Sequence, residues 1–301
     1  MKSFCRFFSM VMALILLPIA ASAGTVVTSF YPIWLIAMNL ADGISDMNVV
    51  NLASPDTGCL QDYQLQMNDM KVLETADLFL VNGAGMESYL DLVFSAFPAL
   101  PVSQAADNVP LLYGLDALEI GESDDDSKEA NAHIWLSASN AILMARNMAE
   151  AMSSVFPSSA AVIQENLSAF TLRMEELDHE LKAGLSGLRH REIITFHEAF
   201  PYFASAYGLK VVAVVNREPG ETLTPSQLAE LADVIIEMGL PPLFVEPQYE
   251  DLSARTLAAE TGARIYTLDP IVTGPEENVP LDYYDTIMRT NLRILCEALG
   301  N

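Results

Sequence analysis

Positive charge is scarce in this chain. Lysine and arginine number 15 against 40 aspartates and glutamates, a formal net charge of −25. A nucleic-acid partner would need a basic face, so that class is excluded. Cysteines number only three in 301 residues, and no CxxC pair occurs. A disulfide-dense scaffold and a zinc ribbon are excluded with it. HExxH, GxSxG and GxxxxGK[ST] are absent too, which removes three familiar catalytic or nucleotide-binding signatures. Beyond residue 24 no apolar run is long enough to span a bilayer.

The one long apolar run lies at the start. Lys2 and Arg6 precede an apolar stretch from Phe7 to Ala20, and Ala21-Ser22-Ala23 follows. A basic start, a short apolar core and a small-x-small site predict a cleaved secretory signal peptide over 1–23. The mature chain then starts near Gly24, and a bacterial periplasm is the simplest destination. Removing two positive charges takes the charge from −25 to −27. A strongly acidic exported protein attracts cations, although solubility alone would account for the charge. Cys59 and Cys296 remain after cleavage, and an oxidising compartment leaves their pairing an open question.

Apolar strand-like runs alternate with helix-like segments. TVVTSFY, NVVNLAS and DLFLVNGAG read as strands before the middle of the chain. EIITFH, LKVVAVV, PLFVEPQ and ARIYTLDP follow it. Asn68 is a plausible helix cap ahead of DMKVLETA. Between the two sets, Ile163, Leu167, Phe170, Met174, Leu177, Leu181, Leu185 and Leu188 recur at spacings of three and four. That period predicts one long one-sided helix over 158–188. Pro157 suits its start and Gly187 its end. The expected fold class is α/β: a lobe over 24–157 and a lobe over 189–301, each with a parallel sheet, joined by the helix.

Ligands of open α/β sheets gather outside the carboxyl ends of the strands. His197, Glu246 and Asp269 each follow an apolar run directly. His133 borders the strand-like run IWL. The other two histidines, His179 and His190, have charged flanks and read as solvated. A lone histidine beside an apolar run is usually a core or edge residue. Two histidines and an aspartate meeting at a cleft would instead suit zinc or manganese.

At this point the residues resemble a family. VVTSFYPIWLIAMNL, ADLFLVNGAGMESYL, NAHIWLSASNA, TFHEAFPYFASAYGL and EPQYEDLSARTLAAETGARIYTLDP are similar to the periplasmic zinc and manganese solute-binding proteins of bacterial metal ABC transporters, cluster A-I, zinc-uptake type. The resemblance runs in order over nearly all the mature chain. It implies two α/β lobes on one long rigid helix with a metal cleft between them. It also implies a monomer that hands a divalent ion to a membrane permease. Residue by residue, it places metal ligands at His133, His197 and Asp269. Manganese binders usually carry Glu where His197 stands, so zinc is the expected cargo, with manganese the alternative.

One position departs from the family. Where its first-lobe motif resembles DPHDYEPTPSD, this chain has CLQDYQLQMND, and Gln61 stands where the first histidine belongs. Gln61 itself, a water molecule or the nearby thiolate of Cys59 could complete the site, and a flexible loop would have to reposition Cys59. An open position raises a second reading, a zinc-dependent hydrolase with Glu198 or Glu246 as base. A manganese or other metal cargo on the same fold is the third. The acidic run at 122–129 reads either as cation capture or as a solvated loop.

Overall fold

The computed structural model describes residues 24–61, 63–114, 118–119, 129–215, 224–249 and 252–300. The signal peptide expected over 1–23 lies outside the described residues, as does the acidic run except for Glu129.

Strand β1 (Gly24–Thr28) lies between β2 (Met47–Asn51) and β3 (Leu78–Val81), and β4 (Val102–Gln104) extends the sheet beyond β3. All three pairings are parallel. Helices α1 (Tyr31–Leu40), α2 (Met67–Glu74) and α3 (Leu90–Ala96) connect these strands. All four β3 residues, Leu-Phe-Leu-Val, are buried, the unbroken apolar pattern of a parallel strand covered on both faces.

The second sheet has five strands in the order β5-β7-β6-β8-β9, again all parallel. They are β5 (Leu118–Glu119), β6 (Glu192–Thr195), β7 (Lys210–Val214), β8 (Leu243–Val245) and β9 (Ile265–Thr267). Between β5 and β6 run α4 (Ala138–Val155) and α5 (Ala160–Ser186). The rest of the chain supplies α6 (Pro201–Tyr207), α7 (Pro225–Glu237), α8 (Leu252–Thr261) and α9 (Tyr283–Leu299). Parallel pairing sends the carboxyl ends of β6, β8 and β9 to one edge. His197, Glu246 and Asp269 all leave the sheet there.

Helix α5 is the long helix of the sequence pattern, 27 residues ending at Ser186 with Gly187 as its cap. Ile163, Phe170, Met174, Leu177, Leu181 and Leu185 are its buried stripe. Each such side chain stabilises the fold by roughly 1.5–3 kcal/mol. Arg173 fastens the helix at both sides. Its guanidinium donates to Asp285 of α9 at 3.2 Å and to Asn39 of α1 at 2.9 Å.

Four details differ from the sequence reading. The IWL segment is a short 3₁₀ turn (Ile134–Leu136), not a strand. The cap of α2 is Gln66, whose N–H bonds Asp69 at 2.7 Å, not Asn68. Helix α4 and the short β4 and β5 are additional elements. Finally, β5 precedes the long helix in sequence yet pairs with β7 in the second sheet.

Candidate metal centre

Three segments converge on one buried point. Gly58, with φ of +80°, turns the chain just ahead of Cys59. This is left-handed backbone that glycine adopts at no steric cost. The 3₁₀ turn after Ala132 presents His133, and the exit of β6 presents His197. Both imidazoles are buried, at 1% and 2% exposure, and their ring centroids lie 4.8 Å apart. Cys59 Sγ is 3.3 Å from Nε2 of His133. One donor atom from each of Cys59, His133 and His197 falls within 4.8 Å of the others, the group of this kind among the described residues.

The two rings are held differently. Nδ1 of His197 is 3.0 Å from Oε1 and 3.2 Å from Oε2 of Glu246, which is itself buried. Gln248 donates to the same carboxylate at 2.6 Å. A carboxylate behind an imidazole fixes its tautomer and makes its far nitrogen a better donor. Glu246 occupies Nδ1, so Nε2 is the His197 nitrogen that would bind a metal. His133 is held through its main chain, its N–H donating to Oδ1 of Asn131 at 3.0 Å. Nδ2 of the same asparagine donates to the Glu198 carbonyl at 2.9 Å. Asn131 therefore ties the backbone of one histidine to the residue after the other. Burial, then the neighbouring His197, push the His133 pKa well below its ordinary value. A neutral ring is the form that donates to a metal.

The other two expected residues make contacts of their own. Asp269 is outside the trio. Its Oδ1 accepts from the Ile271 N–H at 2.7 Å, and Asn291 brackets its main chain. Burial raises its pKa, the Ile271 bond opposes that, and the Glu246 charge adds to it. Trp135, two residues beyond His133, donates to the carbonyl of Pro270 at 2.8 Å, which holds the two segments together. Gln61 lines a cavity of about 460 Å³ together with Cys59, Tyr63 and Tyr249. Its Oε1 is buried and accepts no hydrogen bond among the described residues.

Cys59 and Cys296 are both thiols rather than a disulfide, with Cys296 against the Gly184 carbonyl at 3.7 Å. Cys59 therefore needs no loop rearrangement to reach the histidines. The sequence reading missed the roles of Asn131 and Glu246 as supports. The signal for Glu246 was its place at the end of β8; nothing in the sequence marked Asn131.

Residues 26–298 match the family described as zinc-uptake complex component A, periplasmic. The chain belongs to that family. Among curated relatives, the zinc-binding protein AdcA of Streptococcus pyogenes is 26% identical over 286 residues, covering 90% of this chain and 55% of that protein. This chain thus spans about half the length of AdcA. The iron-binding protein YfeA of Yersinia pestis is 28% identical, covering 91% of this chain and 86% of that one. The solved structure of the solute-binding protein FpvC of Pseudomonas aeruginosa, in complex with Mn²⁺, has a TM-score of 0.79 at 24% identity and covers 92% and 98% of the two chains. Family membership accounts for the two parallel sheets, the long α5 and the cleft at the strand ends.

Proposed function

We propose that this family member is the exported binding component of a metal ABC importer, which captures zinc between its lobes and passes it to a membrane permease as a monomer. The observation that carries this reading is the meeting of His133 and His197, one from each lobe, as buried rings 4.8 Å apart. His133, His197 and Asp269 are the proposed ligands, and the fourth position belongs to the Cys59–Gln61 segment. Metal favours the closed lobes because only there do both histidines reach it. Lobes of 24–157 and 189–301 are the proposed moving units. Helix α5, fastened through Arg173, and β5, paired into the second sheet, keep that motion small.

The related names cover zinc, iron and manganese, so cargo is tested directly. Zinc and manganese are titrated in parallel into metal-stripped protein and into His133→Ala. The expected result is one zinc per chain, bound more tightly than manganese. A four-ligand zinc site worth about 10–16 kcal/mol gives roughly 3–4 kcal/mol per ligand, so His133→Ala costs about 10²–10³-fold in zinc affinity. A variant that binds zinc like its parent would sink the assignment. The hydrolase reading loses one of its two candidate bases, because Glu246 is engaged by His197 and Gln248.

A further inference from the structure

We infer that the sulfur of Cys59, and not the amide of Gln61, is the metal donor that joins His133, His197 and Asp269, and that it restricts the cargo to borderline and soft cations. The inference rests on the metal-binding reading above and deepens it.

Geometry comes first. Zinc–sulfur bonds of about 2.3 Å and zinc–nitrogen bonds of about 2.0–2.1 Å set tetrahedral ligand atoms roughly 3.4–3.6 Å apart. Cys59 Sγ already stands 3.3 Å from Nε2 of His133, and the whole trio fits within 4.8 Å. Closing on an ion thus moves donor atoms by about 1 Å, which side-chain rotation supplies. Glu246 has preset His197 to offer Nε2.

Charge is the second argument. Two neutral imidazoles, Asp269 and a neutral amide would set one negative charge against a dication in a buried site. A thiolate supplies the second, while its proton leaves to solvent as the metal–sulfur bond forms. Cys59 and Gln61 line the same cavity beside Tyr249, so an ion has a route to the sulfur.

Selectivity follows from softness. Thiolate with imidazole suits zinc, cadmium and copper(I), whereas manganese and magnesium prefer oxygen. The departure at Gln61 then becomes a relocation of the donor by two residues.

Cobalt(II), a coloured stand-in for zinc, tests the proposal. Metal-stripped protein, Cys59→Ser and Gln61→Ala are each titrated and followed by absorption. Bound cobalt gives visible d–d bands whatever its ligands, and a thiolate adds sulfur-to-cobalt charge transfer in the near ultraviolet. The expected result is charge transfer in the parent and in Gln61→Ala, and its loss in Cys59→Ser with d–d bands retained. Zinc affinity should fall by more than about 100-fold in Cys59→Ser, beyond the 10–100-fold typical of residues behind a ligand. Visible bands without charge transfer in the parent would overturn the thiolate and leave the metal site standing. Charge transfer that survives in Cys59→Ser would overturn it as well. No bound cobalt or zinc at all would overturn the metal-binding reading beneath it.

Discussion

The two histidines of the centre come from lobes that use opposite devices. In the second lobe a buried carboxylate, Glu246, grips the ring of His197 directly. In the first lobe the buried carboxylate is Glu87, and it grips main chain instead. Its oxygens accept from the N–H groups of Asn82, at 2.7 Å, and Gly83, at 3.0 Å, at the end of β3. The Asn82 side chain then donates to the carbonyl of Ala132 at 2.9 Å, one residue before His133. So one lobe fixes a tautomer and the other fixes a position. Nδ1 of His133 remains buried with no hydrogen bond among the described residues. The contact of this ring is at its other nitrogen, where Cys59 Sγ stands 3.3 Å from Nε2.

The strongest test of Glu87 in the metal-free protein is pH. Burial pushes the Glu87 pKa from its ordinary 4.5 to about 7, although Ser29 and the two N–H groups pull it down. The folded chain therefore holds this proton more tightly than the unfolded chain. The stability it contributes is complete below pH 4.5, declines as pH rises from 4.5 to 7, and is gone above that. A displacement of that size corresponds to about 3 kcal/mol. Tyr89, the titratable neighbour, is itself shifted upward by burial and stays neutral throughout this range. Glu87→Gln keeps an acceptor oxygen and cannot ionise. Unfolding free energies from urea titrations at pH 5 and pH 8 should fall with pH in the parent and change about 2–3 kcal/mol less in the variant. Equal pH dependence in both proteins would place Glu87 outside this role.

The α/β architecture was legible because burial on both sheet faces leaves unbroken apolar runs, as in LFLV of β3. The stripe of α5 was legible because leucine and phenylalanine contrast sharply with its charged residues. Helix α4 was not, since its buried positions include Ala138, Ala141, Ala145 and Ala149, and alanine barely distinguishes core from surface. Strands of two or three residues, such as β5 and β4, are too short to show any period. At the site, His133 and His197 stood out by their apolar flanks. Placing Cys59 beside them depends on the turn at Gly58 and on contacts 74 residues apart in sequence, which no local pattern encodes. Asn131 was invisible for the same reason, because its partners are backbone atoms and any residue offers those.

Breaking the second-lobe device should cost less than losing a ligand but more than disturbing the first-lobe tether. Glu246→Ala releases Nδ1 of His197 and should lower zinc affinity by about 10–100-fold, the usual range for a residue behind a metal ligand. Glu246→Gln keeps an oxygen for the Nδ1–H and should recover part of that loss. Equal losses in the two variants would mean that charge, rather than ring orientation, is what Glu246 supplies. Isothermal titration with zinc resolves the three proteins.

The smallest effect tests the link between the lobes. Asn131→Ala removes the bond to the His133 N–H and the bond to the Glu198 carbonyl. Net hydrogen bonds contribute about 0.5–1.5 kcal/mol each, and water can reach this half-buried residue to replace part of them. The expected cost is therefore about 1 kcal/mol in thermal or urea unfolding. Zinc affinity should fall less than about 10-fold, because Glu246 still aims His197 and Asn82 still holds the segment before His133. Asn131→Asp keeps the acceptor for His133 but sets a carboxylate oxygen against the Glu198 carbonyl in place of the donor, so its loss should be at least as large. If Asn131→Ala instead matched Glu246→Ala in zinc affinity, the backbone tether would rank with the carboxylate clamp. The contrast between a lobe that fixes a tautomer and a lobe that fixes a position would then fail.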